Sequence, residues 1–212
     1  MEKDEKEFKL LLSQLDTKKK DKLIWRLLRK DWYLREQLYF EMVDTRSVQE
    51  LREETSTLVK SKVEKLGYQG AYMAQMQRFI RYVSGDIALH VRITKDKYGE
   101  IELNLLMLNE LLEQHQVFIV NSESEKYKRK LFLYIVNRIF RTMVQLQKIH
   151  EDLRLDFEEA FTKLGQSINN INELYTLAED NGLELNWLTD YDIPENIADI
   201  YRNLKLQGYL KR

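Results

Sequence analysis

The chain has 212 residues, of which 34 are lysine or arginine and 35 are aspartate or glutamate, so its net charge favours no particular partner. A hydrophobic fraction of 43% beside 33% charged residues is typical of a folded domain and excludes a disordered chain. The chain contains no cysteine, which excludes disulfides, thiolate metal sites and cysteine nucleophiles, and which fits a reducing compartment.

The residue pattern predicts a soluble, cytoplasmic protein with no membrane partner. The first twelve residues mix acidic and basic side chains, unlike a secretory signal. The longest apolar run, at 131–136, is far shorter than the roughly 20 residues that a membrane-spanning helix needs. One proline and seven glycines leave few helix breakers, so the composition favours a mainly α-helical fold.

The N-terminal region, 1–121, is expected to begin with three short helices. The first closes near Leu15, and a second over 17–30 carries apolar residues at helical spacing. Asp31 is placed to cap the third, because its carboxylate can accept a hydrogen bond from a backbone N–H at the helix start.

Two more helices are predicted before residue 87. Ser47 and Glu50 have the spacing of a capping box, which starts a helix that Gly67 would end. A following helix is expected to stop at the breaker Ser84-Gly85-Asp86.

A small β-hairpin is predicted at 87–105, where apolar residues alternate with polar ones on both sides of a turn that ends in Gly99. Gly99 would then occupy the position that needs a positive φ. The same residues also fit the 3.6-residue period of a helix, so only their alternation favours the hairpin. The residues that follow the hairpin, up to Gln116, again have helical spacing.

A heptad-patterned helix is predicted within the region 122–182. Ser122 and Glu125 form a second possible capping pair in the sequence, and apolar residues then recur at steps of four and three as far as Ala178. Asn181-Gly182 supplies the stop. An unbroken helix of about 55 residues would be roughly 80 Å long. The alternative is a break near His150–Asp152 that produces an antiparallel pair.

The region 183–212 is interpreted as an acidic linker and a C-terminal helix. Asp192 and Glu195 have capping-box spacing, Pro194 is tolerated in a first turn, and Gly208 would end the helix. The fold class that follows is a multi-helix bundle or an irregular α-solenoid, with the three regions forming one structural unit.

Catalytic and metal-binding patterns are missing from the sequence. His150 interrupts the apolar seam, but its neighbours at helical spacing offer no second metal ligand, so it is interpreted as a partly buried residue that marks register or a helix break. His115 fails in the same way, and His90 would lie on the polar face of the hairpin without a partner. We therefore expect no catalytic residue, no metal and no cofactor.

A basic stripe with an interleaved aromatic residue is the strongest candidate binding feature. It could suit a phosphate backbone or an acidic protein surface. Positive charge near the start of the long helix also interacts unfavourably with the helix dipole, at a cost in helix stability of roughly 0.3–1 kcal/mol per residue. The candidate anion- or nucleic-acid-binding residues are Lys126, Arg129, Lys130, Tyr134, Arg138, Arg141 and Lys148.

Negative charge is concentrated towards the C-terminus. Between Lys163 and Arg202 there is no basic residue, whereas eight acidic residues occur between Glu173 and Asp199. The chain could therefore associate head to tail or fold back on itself.

The function predicted from these features is protein interaction, in a non-enzymatic adaptor or scaffold that belongs to a complex or a homo-oligomer. A nucleic-acid-associated factor that uses the basic helix faces is the alternative. An enzyme of unfamiliar type, with carboxylates gathered around His150 or His115, is the third hypothesis.

Overall fold

The computed structural model describes residues 2–66 and 73–211, which form α-helices in two units. The first unit contains the residues up to Thr45 together with Arg92–Thr94, and the second contains the remainder. The two described ranges contain no strand, so the predicted mainly α-helical fold is confirmed. None of the described helices is both long enough and apolar enough to cross a membrane.

Three short helices make up most of the first unit. Asp16 caps the second of them by accepting a hydrogen bond from the backbone N–H of Lys19 at 2.9 Å. Asp31 ends that helix and caps the next, since its carboxylate accepts from the N–H of Leu34 at 3.0 Å. The second and third helices pack against each other. The helices are α1 (Glu2–Ser13), α2 (Thr17–Lys30) and α3 (Trp32–Met42).

The second unit contains the hydrophobic core. Its order is α4 (Val48–Lys65), α5 (Met73–Thr94, whose last three residues belong to the first unit), α6 (Lys97–Val120), α7 (Glu125–Leu146), α8 (Glu158–Asn169), α9 (Asn172–Asp180), α10 (Asn186–Thr189) and α11 (Ile197–Gln207).

Helix α6 lies at the centre of this unit. It packs against α4, α7 and α8, and it carries twelve buried residues. Ile101, Leu105, Leu108 and Leu112 lie on one side, while Leu111 is buried on another. A helix that is apolar on most sides is typical of a position with neighbours all round.

The predicted β-hairpin at 87–105 is wrong, because these residues are helical. Residues up to Thr94 continue α5 without a break at 84–86, and α6 begins at Lys97. In 101–105 the apolar residues alternate because more than one side of α6 is buried, with Ile101, Leu103 and Leu105 all in the core. A helix that is covered on several sides loses the single apolar stripe that identifies it in a sequence.

Gly99 is needed for a close contact rather than for a positive φ. It lies in the first turn of α6, where its N–H donates to Oδ1 of the N-cap Asp96 at 2.8 Å. A Cβ at this position would lie 2.1 Å from Asp96 Oδ2 and 2.8 Å from Arg52 Nε. The positive φ in this connection belongs to Lys95, at 60°.

The region 122–182 is not one continuous helix, and the break lies where the alternative placed it. α7 ends at Leu146, two single-turn 3-10 helices follow at Glu151–Leu153 and Leu155–Phe157, and α8 then begins. Most heptad positions on either side are buried, including Phe132 and Leu164, although Ala160 is only partly buried. Both α7 and α8 pack against α6. Helix α6 therefore provides the surface that the apolar heptad positions of α7 and α8 cover.

Arg154 stabilises the break. Its guanidinium Nη2 donates to the carbonyl oxygens of Gln147 at 3.0 Å and Ile149 at 3.4 Å, which lie in the segment that follows α7. The hydroxyl of Tyr191 in turn donates to the carbonyl of Arg154. These hydrogen bonds hold the connection between α7 and α8 in place.

The predicted start and stop signals of the helices are confirmed in part. The capping box of Ser47 and Glu50 is confirmed in full, with hydrogen bonds in both directions. Gly182 has a φ of 78° just after α9, and Gly208 has a φ of 98° just after α11, so both predicted stops are confirmed. Gly67 lies outside the described residues.

The other two predicted capping boxes are wrong. α7 begins after Ser124, which makes no side-chain capping bond, so Ser122 is not the N-cap. α11 begins after Asn196, past the predicted pair of Asp192 and Glu195.

Candidate functional site

The predicted anion-binding residues lie on or just beyond α7, but they are divided between two ends of the helix. Tyr134, Arg138 and Arg141 border clefts near the second half of α7. Lys126 and Arg129 border a different cleft near its start.

The remaining two residues of the stripe border none of these clefts. The ammonium group of Lys130 lies 5.5 Å from the ring centroid of Tyr127, as a cation–π contact. Lys148 follows the end of α7 and is exposed. The sequence pattern therefore identified the helix correctly, but it did not identify which residues come together.

One cleft, here called the arginine cleft, has a volume of about 300 Å³ and no carboxylate in its lining. The hydroxyls of Ser84 and Tyr134 are hydrogen-bonded to each other within it. Arg138 Nη2 donates to the Tyr134 hydroxyl at 3.3 Å. The lining residues are Arg81, Ser84, Tyr134, Asn137, Arg138, Arg141 and Leu210.

A second cleft, here called the polar cleft, shares Arg138 and Arg141 with the first and has a volume of about 310 Å³. It lies where α6, α7 and α11 meet, and Arg141 Nε donates to the hydroxyl of Tyr201 at 3.4 Å. The lining residues are Glu100, Asn104, Arg138, Arg141, Thr142, Val144, Gln145 and Tyr201.

Asn104 is the most unusual residue of the polar cleft. It is only 3% exposed, and its Nδ2 donates to the carbonyl oxygen of Glu100 at 2.6 Å. Its Oδ1 is buried and accepts no hydrogen bond from the described residues. A buried acceptor without a donor costs about 1–3 kcal/mol, so this position calls for a physical explanation.

Glu100 supplies the negative charge of the polar cleft. Its carboxylate is half-buried and accepts a hydrogen bond from Gln145 Nε2 at 3.4 Å. Burial raises the pKa of Glu100, and this effect exceeds the lowering by Arg138, by Lys148 and by the Gln145 hydrogen bond. One wall of the cleft thus carries the Glu100 carboxylate from α6, and helix α7 contributes two cations.

The cleft at the start of α7 has a different charge balance. Lys128 is buried there, and its ammonium group lies 2.9 Å from Glu173 Oε2 and 3.3 Å from Glu125 Oε1. Lys126 and Arg129 line the cleft with three carboxylates, so much of the local positive charge is balanced. The cleft, of about 560 Å³, is lined by Glu125, Lys126, Lys128, Arg129, Phe132, Asn172, Glu173, Thr176, Leu177 and Asp180.

His150 lies at the predicted helix break, but the expected burial is wrong because its side chain is exposed. Its Nδ1 accepts from the backbone N–H of Asp152 at 3.4 Å. His115 is buried and its Nε2 lies 2.8 Å from the carbonyl oxygen of Val63. The two carboxylates that the enzyme hypothesis required beside either histidine are not found among the described residues.

His90 belongs to a buried charge network that the sequence did not reveal. Its Nε2 lies 3.1 Å from Asp96 Oδ2, and Arg52 Nε donates to the same oxygen at 2.7 Å. Burial raises the pKa of Asp96, but hydrogen bonds from His90, Arg52 and Gly99 outweigh it and lower the pKa to about 2 from an ordinary value of 3.8. The network connects α4, α5 and α6, which indicates a structural role.

The first unit presents a second kind of candidate surface. None of the described side chains from Asp4 to Thr45 is buried. Twelve large hydrophobic side chains in this segment are exposed, namely Phe8, Leu10, Leu11, Ile24, Trp25, Leu27, Trp32, Tyr33, Leu34, Tyr39, Met42 and Val43. We call α1–α3 the N-terminal arm.

Helix α2 of the arm combines apolar and basic faces. It carries seven basic residues and one acidic residue. Lys22, Arg26 and Arg29 follow one another at helical spacing on one side, whereas Ile24 and Leu27 lie on the other. Such a helix can bind an apolar groove with an acidic rim.

The C-terminal part of the second unit has the opposite charge. Two large hydrophobic side chains, Leu206 and Tyr209, are exposed near its end. The acidic side chains of this part are all exposed, and they are Glu173, Glu179, Asp180, Glu184, Asp190, Asp192, Glu195 and Asp199. We call these ten residues the acidic surface.

Comparison of the chain with protein-family models, with curated proteins and with solved structures finds no match.

Proposed function

We propose that this chain is a non-enzymatic interaction protein of the adaptor or scaffold type, which binds a protein partner through its N-terminal arm. The observation that carries the proposal is the contrast within the arm between twelve exposed large hydrophobic side chains and the lack of any buried one among the described residues. Apolar patches of this kind, bordered by charge, are typical of protein–protein contacts.

Helix length supports the same proposal. The arm helices have 12, 14 and 11 residues. Isolated helices shorter than roughly 12–15 residues are marginal in water, and most helical stability in proteins comes from burying an apolar face. A partner that covers the apolar faces of α1–α3 would supply that burial.

A second copy of the chain is the partner whose chemistry is supported best. The basic face of α2 complements the carboxylates of the acidic surface in charge, and Leu206 and Tyr209 of the same surface offer exposed apolar side chains. Such a contact joins different surfaces of two copies, so it would produce head-to-tail rings or filaments.

Light scattering on the full chain tests the proposal. We expect a mass above that of one chain, rising with concentration and falling with salt, since salt screens contacts between exposed charges. The triple variant Lys22→Glu, Arg26→Glu and Arg29→Glu should be monomeric. A second triple variant, Asp180→Lys, Glu184→Lys and Asp192→Lys, should also be monomeric, and mixing the two variants should restore association.

A matched control makes the same charge change elsewhere. The substitutions Lys60→Glu, Lys97→Glu and Lys211→Glu affect exposed lysines outside both surfaces, so this variant should associate like the unmodified chain. A compact monomer at all concentrations, or equal loss of association in the control, would contradict the proposal.

Nucleic-acid binding is the second candidate function, and the exposure of Lys126, Arg129, Arg141 and Lys148 favours it. We expect retention on DNA or RNA that weakens steeply with salt, because bound cations displace counterions from phosphates. Changing Lys130, Arg138 and Arg141 to glutamate should weaken binding further. Lack of binding at low salt would dismiss this candidate.

A further inference from the structure

The arginine cleft has more hydrogen-bond donors than acceptors. Arg138 directs one guanidinium nitrogen to the hydroxyl of Tyr134 at 3.3 Å, and Arg141 directs one to the hydroxyl of Tyr201 at 3.4 Å. Neither guanidinium forms an ion pair with a carboxylate of the described residues. Because a guanidinium carries five N–H groups and no acceptor, most of these donors are left for a ligand.

The hydroxyls of Ser84 and Tyr134 add a donor to the most deeply buried part of the cleft, since each residue is only 7% exposed. The hydrogen bond between the two hydroxyls uses one of their two protons. Within the described part of the chain, the other proton has as its acceptor the sulfur of Met107, 3.5 Å from Ser84 Oγ. A thioether is a weak acceptor, so an anionic oxygen that reaches this pair would displace it.

The amide acceptor of the lining is already engaged. Asn137 Oδ1 accepts from the hydroxyl of Tyr201 at 3.3 Å, and the carbonyl oxygen of Leu210 accepts from Asn137 Nδ2 at 3.2 Å. Arg81 of α5 adds a third guanidinium to the lining. The cleft is therefore complementary to a ligand that brings both acceptors and negative charge.

The cleft at the start of α7 shows that basic residues on this helix do not by themselves make such a site. Lys126 and Arg129 line that cleft together with three carboxylates, so the charge is balanced within the protein. The arginine cleft has no carboxylate in its lining, although Glu100 acts on Arg138 from the adjoining polar cleft. One neighbouring carboxylate beside several guanidinium groups favours a ligand with more than one negative charge.

We propose that the arginine cleft binds a phosphate dianion, either free or as the terminal group of a small phosphate monoester. Its oxygens accept from Arg138, from Arg141 and from the hydroxyl pair, and arginine is especially suited to phosphate because its planar fork can pair with two oxygens. The volume of about 300 Å³ is at the lower end of what is usual for small-molecule pockets. A terminal phosphate can reach the buried hydroxyls, whereas the diester of a nucleic-acid strand is flanked on both sides.

Isothermal titration calorimetry of the full chain at about pH 8 tests the proposal, with inorganic phosphate and glycerol 3-phosphate as the probes, since both are dianionic there. We expect saturable binding of at least one, and the tighter of the two distinguishes free phosphate from an ester. Dimethyl phosphate, a singly charged diester, and acetate should each bind about tenfold more weakly or not at all, since a hydrogen bond to a charged group is worth roughly that factor.

Variants assign the binding to the cleft. Arg141→Gln and Tyr134→Phe should each weaken phosphate binding by about tenfold, because each removes a donor to the anion. Arg78→Gln makes the same change as the first variant at an exposed arginine of α5 outside the cleft, so it should bind phosphate normally. Circular dichroism establishes that each variant remains folded.

The site is separate from the N-terminal arm, so the two proposals can fail independently. The charge-reversed variant of the α2 basic face should lose association and still bind phosphate. The phosphate proposal is overturned if neither probe binds, if dimethyl phosphate binds as tightly, or if both cleft variants bind like the unmodified chain. Equal weakening by Arg78→Gln would likewise overturn it, since binding would then reflect surface charge in general.

Discussion

The N-terminal arm and the central helix α6 show two different ways in which a helix is specified. Helix α2 begins at Thr17 and ends at Lys30, as its sequence predicts, although it buries no residue. Helix α6 carries twelve buried residues, yet the residue pattern of its first turns predicts a strand. Local caps and a single apolar stripe make a surface helix easy to recognise, whereas burial on several sides removes the stripe.

The largest expected effect is a difference in stability between core and arm. Phe140 is fully buried, with its ring 5.2 Å from that of Tyr201, so Phe140→Ala should lower the free energy of unfolding by about 3–5 kcal/mol. Trp25 is 60% exposed, so Trp25→Ala should lower it by less than about 0.5 kcal/mol in the monomer. Urea denaturation followed by circular dichroism measures both, and equal losses would show that the arm contributes to the core.

A smaller effect is expected from the charge network of Asp96. Because the folded-state pKa of about 2 is below the ordinary value of 3.8, the carboxylate stabilises the fold above pH 4. That contribution, about 2 kcal/mol, should be lost progressively as the pH falls from about 4 to about 2.

The control for this prediction is Asp96→Asn, which should be less stable by about that amount at pH 7 and should lack this part of the acid dependence. Denaturant titrations of both proteins at several pH values measure the difference. Parallel pH profiles for the two proteins would contradict the assigned role of Asp96.

The smallest expected change in stability comes from removing a helix cap, and each unit offers one cap to compare. Asp31→Ala and Ser47→Ala each remove a side chain that accepts a hydrogen bond at a helix start, a loss of typically about 1 kcal/mol. We expect Asp31→Ala to reduce the helicity of α3 alone, because α3 has no buried residue. Ser47→Ala should lower the stability of the second unit, since α4 packs on α6.

Hydrogen exchange resolved by segment distinguishes these two outcomes. Faster exchange confined to α3 in Asp31→Ala, with a general increase across the second unit in Ser47→Ala, is the expected pattern. A general increase in both variants would mean that the arm and the core unfold together.

The candidate site was predictable only in part. The basic stripe predicts a binding surface on the helix that is now α7. Tyr134, Arg138 and Arg141 of this stripe line clefts there. Asn104 was not predicted, because an asparagine in a presumed strand gives no sign that its oxygen will be buried without a donor. Arg81 is likewise distant in sequence and reaches the arginine cleft only through the packing of α5.

Several features of this protein were determined by the sequence alone. The helical class, the bounds of α2, the capping box at Ser47 and the stops at Gly182 and Gly208 depend on hydrogen bonds and φ angles within a few residues. Interactions of such short range operate in the same way whatever the rest of the chain does.

Other features were decided only by the tertiary structure. The connection after α7 is tied down by Tyr191, whose hydroxyl donates to the carbonyl of Arg154, and the helical state of 97–105 depends on burial by α4, α7 and α8. The polar cleft arises because α6 and α7 face each other with Asn104 and Arg141 in its lining. Contacts between residues distant in sequence supply these energies, and a periodic pattern along one segment carries no information about the partner that it meets.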